Sequence, residues 1–125
     1  MNVSAAPLTV LIADPDPAQQ QILAECLRPR FRTIPARSLA ETSDLIARFR
    51  PQIMLLELNQ PDGDGLNLIK QLRKETATKN MIIACVTRRS TVKEKVAGFQ
   101  AGANDTGDEQ TPFPAHFLGT GQFLA

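Results

Sequence analysis

Short apolar runs alternate with helical runs along most of this chain, and this alternation constrains the fold more than any other sequence feature. Each of four strand-like runs is followed by a helical pattern, which gives the order βαβαβαβα. Such alternation is typical of a parallel sheet with helices on both faces. The predicted strands are Leu8–Ala13, Phe31–Ala36, Ile53–Leu58 and Met81–Val86. We therefore predict a doubly wound α/β domain.

Capping residues predict where the helices begin and end. An acid, serine or threonine in front of a helix accepts an N–H that the helix leaves unbonded, and a glutamate three residues on completes a capping box. The start signals are Asp16 with Pro17, Ser38 with Glu41 and Thr91 with Glu94, and Gly102 is the last stop signal. The apolar positions predicted to face the core are Ile22, Leu23, Cys26, Leu27, Leu39, Leu45, Ile46, Phe49, Leu66, Ile69 and Leu72.

Composition limits the functional classes. A length of 125 residues suits one domain, and a net charge of +1 provides no general field for DNA or an anionic membrane. No apolar run approaches the roughly 20 residues of a membrane helix. The apolar start of the chain has no basic flank and indicates a strand, not a signal peptide, so we expect a cytoplasmic protein. Cys26 and Cys85 lie in apolar runs and are expected to be two buried thiols, with a disulfide or metal pair as the less favoured alternative.

Acidic and hydroxyl side chains follow three of the predicted strands. Asp14 and Asp16 come after the first strand, Glu57 lies near the end of the third, and Thr87 follows the fourth. In open parallel sheets, ligands bind beyond the carboxyl ends of the strands, where the strand order reverses. We therefore predict an acidic pocket of Asp14, Asp16 and Glu57 at this edge. Carboxylates grouped in this way invite Mg²⁺ or raised pKa values.

The order and spacing of these segments resemble the receiver domain of two-component response regulators over residues 8–105. The most specific segment is the proline-to-glycine loop after the third strand. The matching stretches are Val10–Pro17, Pro51–Gly65, Ile82–Thr87 and Ala101–Asp105. The resemblance implies a flavodoxin-like fold with strand order 2-1-3-4-5.

The resemblance also implies roles for individual residues. In that family an aspartate after the third strand accepts a phosphoryl group, and Glu57 occupies this phosphoacceptor position. Thr87 occupies the position of the switch hydroxyl that binds the phosphoryl oxygens. If Mg²⁺ binds, the resemblance assigns it to Asp14, Glu57 and the backbone carbonyl of Asn59. A lysine after the fifth strand completes the family site and, with the metal, offsets the charge of the transition state.

Several positions depart from the family pattern. Glu57 replaces the aspartate, and its extra methylene moves the carboxylate out of in-line geometry. Pro15 replaces the second acid of the family's acidic pair, and whether Asp16 substitutes for it stays open. The lysine position holds Glu109 in a direct alignment, or Thr111 if the alignment is shifted. We therefore expect a non-enzymatic, phosphorylation-independent member that needs no cofactor and holds Mg²⁺ weakly if at all.

Alternatives remain at the level of the sequence. Glu57 is interpreted as a mimic of the phosphorylated state reaching toward Thr87, as a half-buried acid that tunes stability, or as a surviving phosphoacceptor. The last interpretation makes the chain a Mg²⁺-dependent phosphorylatable receiver. A small nucleotide- or flavin-binding protein of the same fold is a further alternative, disfavoured because the loop 14–18 is acidic and has no glycine.

Other motifs favour structural roles. Residues 62–65 suggest a calcium loop, but the positions that would supply its first and last acids are Gln60 and Gln71, so a turn is expected. A basic section is predicted to be mostly a solvated helix face, with a docking surface for an acidic partner as the alternative and no direct nucleic-acid binding. Its members are Lys70, Arg73, Lys74, Lys79, Arg88, Arg89, Lys93 and Lys95. His116 is expected to be exposed.

The pattern fails after Asn104. Residues 105–110 are too polar for a central strand, and Gly119 and Gly121 interrupt the last helical pattern. We predict a receiver-like domain over residues 1–105 and an irregular, poorly ordered tail over 106–125, with a degraded fifth strand and last helix. The fourth strand would then be an open edge that favours a homodimer or a partner strand. The expected partner is a protein or an output domain, either in a complex or within a longer transcriptional regulator.

Overall fold

A parallel sheet runs through the centre of the fold. The computed structural model describes residues 7–87 and 91–107. The sheet contains β1 (Thr9–Ala13), β2 (Arg32–Ala36), β3 (Ile53–Leu56), β6 (Ile82–Val86) and β7 (Asp105–Gly107), and a small hairpin pairs β4 (Asn59–Gln60) with β5 (Gly63–Asp64). The order β2-β1-β3-β6-β7 confirms the predicted flavodoxin-like arrangement. Pro35 lies on the edge strand β2, where the sheet does not require a hydrogen bond from its backbone nitrogen.

Four helices connect the strands within the described residues. They are α1 (Pro17–Leu27), α2 (Leu39–Phe49), α3 (Gly65–Lys74) and α4 (Val92–Ala101). None of these described helices is long and apolar enough to cross a membrane. The predicted capping box before α4 is present, and Gly102 adopts the left-handed conformation that ends the helix. The box before α2 is only half formed, because the Glu41 carboxylate accepts the N–H of Arg37.

The core consists of two apolar layers, one on each face of the sheet. Successive residues of a strand point to opposite faces, so Leu11 and Ala13 join one layer while Val10 and Ile12 join the other. The first layer packs against α2, α3 and α4, and the second packs against α1. The contributing helix residues are Ile46, Leu68, Ile69, Leu72 and Ala101 in the first layer and Leu23 and Leu27 in the second.

Two of the predicted helix stripes differ from the structure. In α1, Ile22 is 54% exposed and Cys26 is exposed, whereas Gln20 is buried beside Leu23 and Leu27. The buried face is therefore rotated away from the predicted apolar stripe, because the amide of Gln20 finds hydrogen-bond partners at the strand ends. The expectation of two buried thiols is correct for Cys85 and wrong for Cys26.

Phe49 was also expected to face the core, but it is 52% exposed. It occupies the last position of α2, whose fully buried face carries Thr42 and Ile46. The Phe49 ring instead lies under the guanidinium of Arg48, 5.3 Å from its centroid. The terminal turn of α2 therefore leaves this aromatic side chain largely outside the core.

A fifth strand is present despite its polar sequence. Three residues of β7 pair with β6 in parallel, from Asp105 opposite Ala84 to Gly107 opposite Val86. The prediction that β6 would be an open edge is therefore wrong, because backbone hydrogen bonds can form an edge strand without an apolar run. The strand also continues two residues past the predicted boundary at 105. The rest of the predicted tail, including Glu109, Thr111 and His116, lies outside the described residues, as do Arg88 and Arg89.

Candidate functional site

The carboxyl ends of three neighbouring strands place Asp14, Glu57 and Thr87 along one edge of the sheet. The backbone hydrogen bonds of the sheet extend to these residues. The N–H of Glu57 donates to the Ala13 carbonyl, and the N–H of Asp14 donates to the Ala36 carbonyl, each at 2.9 Å. Asp14 is 4% exposed, Glu57 9% and Thr87 6%. Three of the predicted site residues are therefore buried polar groups on adjacent strands.

Both buried carboxylates accept hydrogen bonds from the backbone of the loops that follow them. Asp14 Oδ1 accepts the N–H of Asp16 at 2.8 Å, and Glu57 Oε2 accepts the N–H of Asn59 at 3.1 Å. The loop after β3 therefore holds the Glu57 carboxylate.

Asp16 has a different position from the other two acids. Its Oδ1 accepts the N–H of Ala18 at 2.9 Å and caps α1. Within residues 7–87 and 91–107, no group of three or more histidine, cysteine, aspartate or glutamate side chains could hold a metal ion. Mg²⁺ is held in many proteins by one or two carboxylates together with water. The assignment of Mg²⁺ to Asp14, Glu57 and the Asn59 carbonyl therefore stays a prediction.

Two glutamines that sequence reasoning missed support the acidic edge. Gln20 Nε2 lies within hydrogen-bond distance of the carbonyls of Ile12, Asp14 and Ala36, at 2.7, 3.0 and 2.9 Å. Gln60 Nε2 donates to the carbonyls of Ala13 and Glu57, at 3.1 and 2.8 Å. Gln20 could have been identified from its helical spacing with Leu23 and Leu27, which places the three side chains on one face of α1. No comparable pattern identifies Gln60.

The loop after Glu57 is the predicted turn. Gly63 has a φ of +149° between the two short strands of the hairpin. Asp64 caps α3 by accepting the N–H of Leu66 at 2.9 Å. Asp62 accepts two N–H groups from the first turn of α2, and these hydrogen bonds hold the pKa of its carboxyl below the ordinary value. Both carboxylates thus serve helix starts.

Cys85 lies in β6, two residues before Thr87. Burial, together with the negative charges of Glu57 and Asp105, raises the pKa of its thiol to about 12. A thiol with so high a pKa remains protonated at neutral pH and is a poor nucleophile. The candidate site therefore has no activated cysteine at this position.

Arg73 differs from the solvated helix face predicted for the basic section. Its guanidinium donates to the carbonyls of Lys79, Met81 and Gly102 and to the side-chain oxygen of Asn104. Burial lowers its pKa from the ordinary value. Arg73 therefore ties α3 to the start of β6 and the end of α4. The exposed lysines fit the predicted solvated face, namely Lys70, Lys74, Lys79 and Lys93.

Comparisons with known proteins agree with this geometry. The family described as "Response regulator receiver domain" matches residues 10–106. The response regulator MprA from Mycobacterium sp. (strain KMS) is 35% identical over 100 residues, which cover 79% of this chain and 43% of that protein. MprA from Mycobacterium avium (strain 104) is 33% identical over 99 residues, covering 78% and 42%. The chain thus spans less than half the length of these relatives.

Solved structures show the same fold. The chemotaxis response regulator CheY4 of Vibrio cholerae matches with a TM-score of 0.82 and 20% identity, covering 96% of this chain and 100% of that one. A two-component response regulator from Clostridium difficile matches with a TM-score of 0.83 and 21% identity, covering 94% and 95%. Together with the family match, these observations identify the chain as a member of the response regulator receiver domain family.

Proposed function

We propose that this receiver domain signals without being phosphorylated and acts through contacts with a protein partner or an output domain. The observation that carries the proposal is the state of Glu57 at the phosphoacceptor position. Its carboxylate is one methylene longer than the family's aspartate and is bonded to the N–H of Asn59. Burial and this hydrogen bond support a structural role for Glu57 in place of phosphoryl transfer.

The surroundings of Glu57 support the same proposal. A phosphoryl group added at this edge would bring further negative charge next to Asp14, which is buried and acidic. In a water-poor site such charge requires cations or positioned donors. The sequence has Pro15 where the family has its second acid, and Glu109 or Thr111 at the lysine position. In the family the second acid helps to hold Mg²⁺, and the metal and the lysine offset the charge of the phosphoryl group. Both means of offsetting the added charge are therefore weakened in this sequence.

The curated relatives bear on the choice of partner. Relatives named as response regulators are more than twice as long as the matched part. We infer that the partner is an output domain, within one chain or in a complex, and that the protein works in the cytoplasm. Self-association is a further proposal, which sedimentation would test. The first loop keeps its acids at Asp14 and Asp16, so a nucleotide or flavin ligand is not proposed.

Treatment with acetyl phosphate and Mg²⁺, followed by intact mass measurement, tests the proposal. We expect no gain of about 80 Da in the natural sequence. The variant Pro15→Asp/Glu57→Asp restores both family acids and serves as the gain-of-function comparison, and Glu57→Gln is the negative control. A phosphoryl adduct on Glu57 itself would establish the Mg²⁺-dependent alternative.

A second experiment asks whether the acidic edge binds a phosphoryl analogue. Beryllofluoride with Mg²⁺ is added while the backbone amide signal of Thr87 is followed by NMR. We expect no saturable shift in the natural sequence. Tight binding with a shift at Thr87 would overturn the phosphorylation-independent function even if no covalent adduct formed.

A further inference from the structure

A groove lies between α2 and α3, at the amino ends of β3 and β6. It is therefore at the opposite edge of the sheet from Glu57 and Thr87. Its volume is about 570 Å³, within the range of pockets that hold small molecules. The apolar part of its lining is formed by Ile46, Leu68, Leu72, Met81 and Ile82. The groove combines this apolar surface with two charged residues, Arg50 and Glu75.

Arg50 occupies a backbone position that suits glycine. It is the C-cap of α2 and has a φ of +46° and a ψ of +60°, in the left-handed region. A residue with a Cβ is disfavoured in this region, and glycine is the usual choice at helix ends of this kind. Among the described residues, the Arg50 side chain makes no hydrogen bond or ion pair that would explain an arginine here. Its exposed guanidinium is therefore available to a ligand.

Glu75 on the other wall is also locally unfavourable. It is the C-cap of α3, where the helix dipole presents its negative end and favours cations, as Arg73 and Lys74 in the last turn illustrate. Among the described residues, no ion pair joins Glu75 to Arg50. Two opposite charges thus line one groove without forming an ion pair. At Arg50 the backbone conformation disfavours a Cβ, and at Glu75 the helix end disfavours a negative charge. Such local conflicts are concentrated at functional sites.

We propose that this groove binds a small zwitterion of the amino-acid class that carries a large apolar side chain. Its carboxylate would bind the Arg50 guanidinium, and its ammonium would bind the Glu75 carboxylate. Its side chain would cover Leu72 and Met81. A simple anion would meet Glu75, and a simple cation would meet Arg50, so the pair of charges favours a ligand with both. This site is independent of the function proposed above.

The test is an NMR titration of the natural protein with L-leucine and L-phenylalanine. We expect saturable shifts of the amide signals of Ile46, Leu72 and Met81. The comparators are 4-methylpentanoate, which lacks the ammonium of leucine, 3-methylbutylamine, which lacks the carboxylate, and L-serine, which lacks the apolar side chain. Each should bind roughly tenfold more weakly or worse, because one charged contact or the apolar contact is lost. Equal binding of 4-methylpentanoate and leucine would overturn the zwitterion assignment.

Two variants separate ligand binding from stability. Arg50→Gly should weaken leucine binding roughly tenfold while it raises the melting temperature, because glycine suits the left-handed backbone. Glu75→Gln should weaken binding similarly, and Arg48→Ala, which removes a neighbouring arginine outside the groove, should leave it unchanged. The proposal is overturned if neither amino acid gives a saturable shift, or if Arg50→Gly and Glu75→Gln bind leucine as the natural protein does.

Discussion

The carboxylate of Asp62 accepts a hydrogen bond from the backbone N–H of Leu39 at 2.8 Å, although the two residues are 23 positions apart. A second N–H, that of Ala40, donates to the same carboxylate at 3.0 Å. The hairpin that follows Glu57 therefore supplies part of the N-terminal cap of α2. This contact connects the loop of the candidate site to α2, the helix between β2 and β3.

The cap of α2 should make stability depend on acidic pH. Because the N–H donors lower the pKa of Asp62, its contribution is complete above the ordinary value of 3.8 and is lost as the pH falls through the lower folded-state pKa. Asp62→Asn keeps the acceptor oxygen but removes the titration, so its stability should change less with pH in this range. Urea unfolding at several pH values measures this, with Asp44→Asn as an exposed control. Identical pH profiles for Asp62→Asn and the natural protein would contradict the cap.

Gln20 should be important for stability although it is a polar residue. Gln20→Leu leaves the buried carbonyls of Ile12 and Ala36 without this donor, and we expect a loss of about 1–3 kcal/mol in the free energy of unfolding. The neighbouring Gln21 donates to Glu25 on the surface of α1, so Gln21→Leu should cost less than about 0.5 kcal/mol. Urea denaturation of both variants provides the comparison. Equal costs would show that the buried amide is dispensable.

The two cysteines should differ strongly in reactivity. Cys26 is exposed, whereas Cys85 is buried and has a pKa of about 12. A thiol reagent such as DTNB at pH 8 should modify one thiol per chain quickly and the second only after unfolding, because the thiolate is the reactive form. Cys26→Ser should abolish the fast reaction, and Cys85→Ala should preserve it. A fast reaction in the folded Cys26→Ser variant would contradict the burial of Cys85.

Gly102 and Arg73 should be energetically coupled. A Cβ at Gly102 would lie 2.8 Å from Arg73 Cγ, and the φ of +119° is itself unfavourable for other residues. Gly102→Ala should cost about 1–2 kcal/mol from the backbone alone, with a further cost from the contact. In an Arg73→Ala background the contact is gone, so the same substitution should cost less. A double-mutant cycle measures the difference, and strict additivity would exclude the contact as a cause.

Much of the fold could be predicted because its strongest signals are local. The continuous apolar runs of β1 and β3 identify buried parallel strands, and Thr91 with Glu94 defines the start of α4 in both the sequence and the structure. Strand order followed from the resemblance, and β7 was underestimated because its three residues form backbone bonds at a sheet edge without apolar side chains.

The contacts that support the site were harder to predict because they depend on tertiary placement. Apolar periodicity predicted that Ile22 and Cys26 face the core. The structure buries Gln20 instead, because its amide donates hydrogen bonds to carbonyls at the ends of the strands. The contact of Asp62 with Leu39 joins the hairpin loop to the start of α2, and no local sequence pattern predicts that these two segments are close together. The positions of Asp14, Glu57 and Thr87 could be predicted, since each simply follows a strand.

The two glutamine amides support only the acidic half of this sheet edge, the half that contains Asp14 and Glu57. Gln20 approaches β1 from one helix and Gln60 approaches it from the loop after β3, so the backbone on either side of Asp14 is held from two directions. On the other half, the backbone N–H of Thr87 reaches the Gly107 carbonyl of a three-residue strand at 3.3 Å. Because two buried amides hold the backbone of the acidic half, we expect this half to move little when the domain signals.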